Sequence, residues 1–150
     1  MTDVFISYTS ADQRLADFVF RHLKAESVAV FMASVSLQPG QDWTAEIRRH
    51  LRDSSRVLFL ASRVACGSPY VQQELGGAFF SGKAVIPVIW EIAPEQLPGW
   101  IDRSQALDLR RLPDAAGLAT ALKGIAGQIH SEKLVGLGIV AGALFLLSRL

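Results

Sequence analysis

Tyr70 and Glu74 are the two side chains of this sequence whose types and spacing best suit binding chemistry. They are four residues apart, so on a helix they lie on one face, a turn from each other. An aromatic ring can stack on a flat group, and a carboxylate accepts hydrogen bonds from hydroxyls, a combination that suits a sugar. Gly77 leaves room beside them. The segment taken alone is at least as typical of a solvated helix with an ordinary glutamate, so both interpretations stay open.

The helix that carries this pair is predicted to lie at the edge of a core. Pro69 suits the first turn of a helix that reaches about Phe80. Its apolar residues recur at every fourth position: Val71, Leu75 and Phe79. This stripe lies about 100° around the helix from Glu74. We therefore expect Glu74 at the rim of the core and not in open solvent.

Four short apolar runs predict strands that are buried on both faces: Asp3–Tyr8, Val28–Met32, Arg56–Ala61 and Ala84–Trp90. They barely alternate with polar residues, which is typical of a sheet covered by helices on both sides. A weaker fifth strand is predicted at Ala106–Leu109. Pro87 cannot donate a ladder hydrogen bond, so we expect a bulge or an irregular section there.

Helical patterns separate the strands: Asp12–Ala25 behind a Ser10 or Asp12 cap, a helix from an Asp42 cap to about Asp53, the helix at Pro69, and Asp114–Ile129. Strands that alternate with single helices indicate right-handed crossovers and a parallel sheet. The loop Ala33–Gln41 follows the second strand and contains the turn signal Pro39-Gly40. Such folds bind ligands at loops of this kind.

Composition narrows the functional classes. The 150 residues suit one ordinary domain, and 15 Lys and Arg residues nearly balance 14 Asp and Glu residues, so no nucleic-acid partner is expected. Cys66 is the only cysteine, and no signal segment is recognised at the start, which favours a reducing compartment. His22, His50 and His130 lie on separate predicted helices, so we expect no metal site.

Other phosphate-binding and phospho-acceptor sites lack their residues. The spacings of a P-loop and of a dinucleotide-binding fingerprint are absent. A phospho-receiver needs an aspartate after the third strand, where this chain has Leu60-Ala61-Ser62. Four arginines form a basic cluster at the second predicted helix: Arg48, Arg49 and Arg52 lie within it, and Arg56 follows it. It fits either a solvated face or a surface for subunit or lipid contact.

The C-terminal segment is apolar from Leu134 to Leu147, with Lys133 before it and Arg149 after it. As a helix, residues 134–150 span about 25 Å, against about 30 Å of bilayer hydrocarbon. Gly138 and Gly142 have a spacing that suits close helix association. We expect a hydrophobic helix over residues 133–150, separate from a domain over residues 1–130. It would serve as an anchor for a cytoplasmic domain at the inner membrane, or it would be buried in a homo-oligomer.

Four segments in this order carry a family resemblance: Asp3-Val-Phe-Ile-Ser-Tyr-Thr-Ser-Ala-Asp12, Leu37-Gln-Pro-Gly-Gln-Asp-Trp43, Ser68-Pro-Tyr-Val-Gln-Gln-Glu-Leu75 and Val85-Ile-Pro-Val88. Over residues 1–130 or so, the chain resembles the Toll/interleukin-1 receptor (TIR) domain family in its bacterial form. The resemblance implies a flavodoxin-like α/β fold, a five-stranded parallel sheet flanked by helices. It also implies that Ala33–Gln41 corresponds to the BB loop of the family.

The resemblance further implies cleavage of NAD⁺ at the nicotinamide–ribose bond, with NAD⁺ as substrate and no cofactor. The family's catalytic glutamate falls on Glu74. Contacts with NAD⁺ are implied at six positions: Tyr8, Thr9, Ser10, Gly40, Trp43 and Tyr70. Thr9 and Ser10 also suit a turn and a helix cap, and Trp43 also suits packing.

Two positions depart from the family's pattern. The family often has Trp where this chain has Tyr70, which can still stack. It often has an acidic residue near the end of the second strand, where this chain has Met32-Ala33-Ser34. The resemblance implies an NAD⁺ hydrolase or ADP-ribosyl cyclase that self-assembles through TIR–TIR contacts in bacterial antiviral or cell-death signalling. The alternative is a non-catalytic adaptor that acts through the same contacts.

Overall fold

The computed structural model describes residues 2–34, 45–101 and 103–148, with the backbone alone at residue 70 and at residues 137–148. Five strands lie in this part of the chain: β1 (Val4–Tyr8), β2 (Val30–Ser34), β3 (Arg56–Leu60), β4 (Ala84–Ile89) and β5 (Leu107–Asp108). The same part contains five α-helices: α1 (Gln13–Ala25), α2 (Ala45–Asp53), α3 (Arg63–Cys66), α4 (Pro69–Phe80) and α5 (Ala115–Ser148). Every predicted strand is therefore present, with its ends shifted by a few residues.

The strands form one parallel sheet in the order β2-β1-β3-β4-β5. This is the flavodoxin-like order of a doubly wound fold, in which the winding direction reverses between β1 and β3. The predicted flavodoxin-like α/β fold with a five-stranded parallel sheet is confirmed. Ligands of such folds bind outside the carboxyl ends of the strands near that reversal. Residues that follow β1 and β3 are therefore the ones best placed for a site.

Helices cover both faces of the sheet and make two cores. Phe5, Val57 and Phe59 pack with the inner residues of α2 and α4 on one face. Ile6 and Leu58 pack with α1 and α5 on the other face. Successive side chains of a strand point to opposite faces, so β1 and β3 are buried at every position. This two-sided burial explains why their sequences do not alternate.

Serine side chains cap the starts of α3 and of α4, the helix that carries Glu74. Ser62 accepts a hydrogen bond from the backbone N–H of Ala65, at 3.2 Å, and begins α3. Ser68 accepts one from the N–H of Val71, at 3.4 Å, and begins α4, with Pro69 in the first turn as predicted. Each cap satisfies one N–H group that a helix start leaves without an intrahelical partner.

The predicted side-chain cap of α1 is wrong. Asp12 occupies the N-cap position, but its carboxylate makes no capping hydrogen bond. It accepts a hydrogen bond from the Thr9 hydroxyl instead, at 2.8 Å. Ser10 and Asp12 lie in a short 3₁₀ turn that leads into the helix. The turn geometry therefore takes both side chains away from the role that their sequence position suggested.

The bulge expected at Pro87 is also wrong. Pro87 pairs with Phe59, and the register of β3 against β4 runs without interruption from Ala84 to Val88. A proline is tolerated in a strand on a side that has no partner. On its other side β4 pairs with β5 only at Val88 and Ile89, so Pro87 has an unpaired edge beside it. The missing N–H therefore does not require a bulge.

The last helix differs from the prediction of two separate segments. α5 continues without a break from Ala115 to Ser148, so the expected boundary near residues 130–133 lies inside one helix. Leu134 and Val135 are exposed. The expected membrane anchor is not supported, because within the described part of the chain no helix is both long and apolar enough to cross a bilayer.

Polar contacts fix the middle of α5 to the domain, beside the N-terminal ends of the strands. Arg56 makes a two-pronged ion pair with Glu132, with nitrogen–oxygen distances of 2.6 and 3.1 Å. Lys133 Nζ lies 2.9 Å from a carboxylate oxygen of Asp3. His130 Nε2 donates to the carbonyl of Glu26 at 2.6 Å. Residues 130–133 therefore belong to the body of the domain.

The Lys133–Asp3 pair predicts a pH-dependent stability. Burial alone would raise the pKa of Asp3, but hydrogen bonds from Lys133 and the N–H of Ala29, together with nearby positive charge, hold that pKa below its usual value. A carboxylate with a lowered folded-state pKa stabilises the fold above its unfolded pKa, and this contribution is lost as pH falls through the folded value. We expect Lys133→Ala to lower the free energy of unfolding at pH 7 by about 1–2 kcal/mol.

Urea unfolding of both proteins from pH 7 to pH 2 measures this difference. It should shrink at the acid end, where Asp3 is protonated in both. Lys123→Ala is the matched control, because Lys123 is more exposed and lies 4.0 Å from its partner, Glu26. A loss for Lys123→Ala as large as for Lys133→Ala, or a difference that does not change with pH, would contradict the account.

Candidate functional site

Glu74 lies in the second turn of α4, directly before a fully buried residue. Leu75 packs in the core under the helix, and Val71 is buried one turn earlier. The side chain of Glu74 keeps 21% of its surface exposed. The expectation that Glu74 lies at the rim of the core is confirmed. Its carboxylate is held by a rigid element but can be reached from solvent.

Glu74 has an ion-pair partner on the neighbouring helix. Arg48 Nη2, on α2, lies 3.3 Å from Glu74 Oε1. The Arg48 side chain is 47% exposed, and the distance is at the long end for a charged hydrogen bond. A pair with that exposure contributes about 0–1 kcal/mol. The contact therefore orients the carboxylate at a small energetic cost to any ligand that replaces it.

A pocket of about 400 Å³ opens between α2 and α4 beside this pair. Its charged lining groups are Arg48, Arg52, Glu74 and Lys83, and its apolar wall comes from Leu51 and Ala78. Gly77 also lines the pocket, and a side chain added there would meet no atom within 4 Å. The volume is within the range of small-molecule sites. The room that the sequence predicted beside Glu74 is present.

Lys83 also lines this pocket. Its Nζ donates to the carbonyls of Arg52, at 2.5 Å, and Ser54, at 2.6 Å. Arg52 lies in the last turn of α2 and Ser54 directly follows the helix, so Lys83 places a cation at the helix C-terminus, where positive charge is favourable. Lys83 follows α4 in the chain, so it holds the end of α2 against the end of α4. The pocket walls are thereby fixed relative to each other.

The three predicted contacts at the carboxyl end of β1, Tyr8, Thr9 and Ser10, do not line this pocket. Tyr8 packs with the core on the α1 and α5 face of the sheet, and its hydroxyl donates to Gln13 at 3.2 Å. Thr9 is buried with its hydroxyl bound to Asp12. Ser10 is exposed in the 3₁₀ turn. The side chains of Tyr8 and Thr9 thus have local partners, while the backbone of all three lies at the carboxyl end of the sheet.

The remaining predicted contacts are placed only in part. Tyr70 lies in the first turn of α4, one turn before Glu74, and its side chain is outside the described residues. Gly40 and Trp43 lie outside them as well, together with the Asp42 cap and most of the loop Ala33–Gln41. Ala33 itself is buried at the carboxyl end of β2.

Ser7 is a polar residue that sequence analysis passed over. It lies in β1 with its side chain on the same face as Phe5, the face covered by α2 and α4. Its hydroxyl is fully buried and has no hydrogen-bond partner in the described part of the protein. A serine inside an apolar strand was the signal that could have singled it out, because buried hydroxyls usually have a partner.

Two further features lie away from Glu74. A cavity of about 430 Å³ between β4, β5 and α5 has Arg56 as its charged lining residue, and Arg56 is already paired with Glu132. Burial, followed by the nearby charge of Glu91, raises the pKa of the Cys66 thiol to about 11. Cys66 is therefore protonated near neutral pH and a poor nucleophile. Within the described residues, no three His, Cys, Asp or Glu side chains are grouped to hold a metal.

Most of the chain matches one known protein family. A sequence profile of the TIR domain matches residues 4–122, from β1 into the first part of α5. The chain belongs to the TIR domain family. The matched region of this TIR domain includes the whole sheet, α4 with Glu74, and both helices that form the pocket.

Known proteins agree with this assignment. A protein from Brachypodium distachyon named "Probable 2' cyclic ADP-D-ribose synthase BdTIR" is 27% identical over 97 residues, which cover 63% of this chain and 43% of that protein. The TIR domain thus spans less than half the length of this curated relative. Among solved structures, the TIR domain of the Toll-related receptor TRR-2 from Hydra magnipapillata superposes with a TM-score of 0.57 and 18% identity, covering 74% of this chain and 86% of that one.

A second solved structure is the set of TIR domains in the activated Roq1 resistosome that recognises the pathogen effector XopQ. It superposes with a TM-score of 0.53 and 18% identity, covering 85% of this chain and 84% of that one. At these identities the two structures establish the fold alone.

The arginines predicted to form one basic cluster are divided between different surroundings in the structure. Arg48 and Arg52 line the Glu74 pocket, whereas Arg56 is 11% exposed and pairs with Glu132. Arg48 and Arg52 are four residues apart, so they share one face of α2. That spacing, next to the inward-facing Ile47 and Leu51, was the available signal. The partner on α4 was not readable from it.

Proposed function

We propose that this TIR domain cleaves NAD⁺ at the nicotinamide–ribose bond, with Glu74 as the catalytic residue. The observation that carries the proposal is the position of the Glu74 carboxylate, partly exposed on a rigid helix at the edge of a pocket of about 400 Å³. A carboxylate that is held by the scaffold and open to a ligand suits electrostatic catalysis. The resemblance to the TIR family supports the choice of substrate.

One carboxylate is sufficient for this bond cleavage. The electron pair of the C1′–N bond goes to the nicotinamide ring nitrogen, so a cationic ring leaves as a neutral base without a general acid. Positive charge builds on the ribose, as in the oxocarbenium-like transition state of glycoside hydrolysis. A fixed carboxylate near that ring, or bound to its 2′ and 3′ hydroxyls, stabilises the charge.

The ribose carbon is then trapped in one of two ways. Attack by water gives ADP-ribose and releases a proton. Attack by another nucleophilic atom of the same ADP-ribosyl group gives a cyclic product. The Brachypodium relative is named a probable 2' cyclic ADP-D-ribose synthase, and this supports the second route for a protein of this type. We propose an NAD⁺ hydrolase or cyclase, with the product to be determined by analysis of the reaction mixture.

The other predicted contacts complete the proposed site. Tyr70, one turn before Glu74, would supply the stacking surface for the nicotinamide ring. Tyr8, Thr9 and Ser10 would offer backbone groups at the carboxyl end of β1, since two of their side chains already have local partners. Gly40 and Trp43 would contribute from the segment after β2. No resident cofactor is needed, because NAD⁺ is the substrate.

Self-association through TIR–TIR contacts is proposed as the activating step. The likeness of the fold to the TIR domains of the activated Roq1 resistosome supports this. The proposed setting is defence or cell-death signalling in a bacterium. A scaffold without activity would use the same contacts, so assembly alone does not distinguish the two functions.

The test is the fate of NAD⁺ incubated with the full chain at low and high protein concentration, followed by chromatography. The proposal predicts release of nicotinamide with a specific activity that rises as the protein self-associates. ADP-ribose as the product indicates hydrolysis. A product with the elemental formula of ADP-ribose less one water indicates cyclisation. Unchanged NAD⁺ at a concentration where light scattering shows assembly would favour the scaffold.

A further inference from the structure

The α2–α4 pocket has more positive than negative charge, although the chain as a whole is nearly balanced. Arg48, Arg52 and Lys83 line it against the single carboxylate of Glu74, a formal excess of two positive charges. Lysine and arginine exceed aspartate and glutamate by only one over the whole sequence, 15 against 14. The local excess is therefore a property of the pocket. A concave site of this sign raises the local concentration of anions.

Two arginines of α2 line this pocket together. Arg48 and Arg52 are four residues apart on α2 and line the same pocket. Like charges at this spacing on a helix repel each other, so a divalent anion between them would relieve that repulsion. Guanidinium groups bind phosphate oxygens in a two-pronged geometry. Lys83 donates hydrogen bonds to the backbone carbonyls of Arg52 and Ser54, and these bonds fix the backbone from which the Arg52 side chain extends.

We propose that this pocket binds the diphosphate of the dinucleotide, with Arg48 and Arg52 as the binding groups. Arg48 would leave Glu74 Oε1 for a diphosphate oxygen, and the released carboxylate would take the ribose hydroxyls. The exchange is favourable because a half-exposed ion pair is weak, whereas a diphosphate offers more charge and more acceptor oxygens. The choice of a dinucleotide rests on the proposed function, while the choice of an anionic diphosphate rests on the charges.

Binding of ADP to the full chain tests the site without requiring turnover. ADP carries the diphosphate, and adenosine serves as the same ligand without it. We expect Arg48→Ala to raise the Kd for ADP about tenfold, since a charge-assisted hydrogen bond to phosphate is lost. Its effect on adenosine binding should be less than about twofold. Arg49→Ala is the matched control: Arg49 is an exposed neighbour on α2 that does not line the pocket. Its Kd for ADP should change by less than about twofold.

Circular dichroism shows whether Arg48→Ala remains folded. If it does not, Arg52→Ala provides the same test, because Arg52 is exposed and its replacement removes no contact from the core. Absence of ADP binding by the unmodified protein, or equal Kd values for the Arg48 and Arg49 variants, would overturn the proposed site.

The same experiment separates the two proposals. Arg48-dependent ADP binding by a protein that leaves NAD⁺ intact would support the diphosphate site and contradict the enzymatic function. Cleavage of NAD⁺ with an unchanged KM in Arg48→Ala, together with ADP binding that does not depend on Arg48, would support the function and overturn the site.

Discussion

Replacement of Glu74 by glutamine should lower the rate of NAD⁺ cleavage by about 10²–10³-fold, the loss typical of removing one preorganised electrostatic group. Glutamine keeps the size of the side chain and removes its charge, so it no longer stabilises the positive ribose. The free energy of unfolding should change by less than about 0.5–1 kcal/mol, because Glu74 is partly exposed and its pair with Arg48 is weak.

Nicotinamide release by the two proteins at saturating NAD⁺ measures this effect, and urea unfolding reports the stability. Glu46→Gln is the matched control, since Glu46 lies in the first turn of α2 on an exposed position outside the pocket. It should retain essentially full activity. Retention of more than about a tenth of the activity by Glu74→Gln would exclude Glu74 as the main source of transition-state stabilisation.

Replacement of the neighbouring residue, Leu75, should instead affect the stability of the fold. Leu75→Ala is expected to lower the free energy of unfolding by about 2–5 kcal/mol, because the substitution leaves a cavity under α4. Leu75 is fully buried and belongs to the core that joins α2 and α4 to the sheet. A single domain has about 5–15 kcal/mol of stability in total. The loss therefore removes a large part of it, and activity should fall in proportion to the folded fraction.

Urea unfolding measures this loss, with Val64→Ala as the control. Val64 is a valine on α3 with most of its surface exposed, and its truncation should cost less than about 1 kcal/mol. If Leu75→Ala cost no more than Val64→Ala, α4 would not be packed as described. Comparison with Glu74→Gln separates a loss of chemistry from a loss of fold at adjacent positions of one helix.

The sheet could be predicted because burial on both faces leaves a strong mark in the sequence. β1 and β3 are covered by helices on either side, so each of their positions is buried and the apolar run is continuous. The start of α4 could also be predicted, since the preference of Pro69 for the first turn of a helix is local. The rim position of Glu74 followed from helical periodicity alone.

The parts that could not be predicted depend on contacts between distant residues. Arg48 meets Glu74 across 26 positions of sequence, and Arg56 meets Glu132 across 76. A cluster of arginines gives no indication of which member will find a carboxylate. Pro87 was misread for a similar reason, because its cost depends on whether β5 extends beside it. The continuity of α5 likewise depends on how residues 130–133 are held by the domain.

Some polar side chains at the end of β1 also suited more than one role. Thr9 was expected to contact a ligand and Asp12 to cap a helix. The Thr9 hydroxyl instead donates a hydrogen bond to the Asp12 carboxylate. Tyr8 was expected in the cleft, and its ring packs with the opposite core. A hydroxyl that ends a strand has several partners within reach, so its type alone does not select one.

A structure of Glu74→Gln in complex with NAD⁺ tests the central claim most directly, since the slowed reaction would preserve the substrate. We expect the residue 74 side chain to lie within hydrogen-bond distance, about 2.6–3.2 Å, of a hydroxyl of the nicotinamide ribose, or directly beside its C1′ carbon. A nicotinamide ribose bound more than about 6 Å from that side chain would contradict it, because a charge at that distance exerts little influence on the reacting sugar.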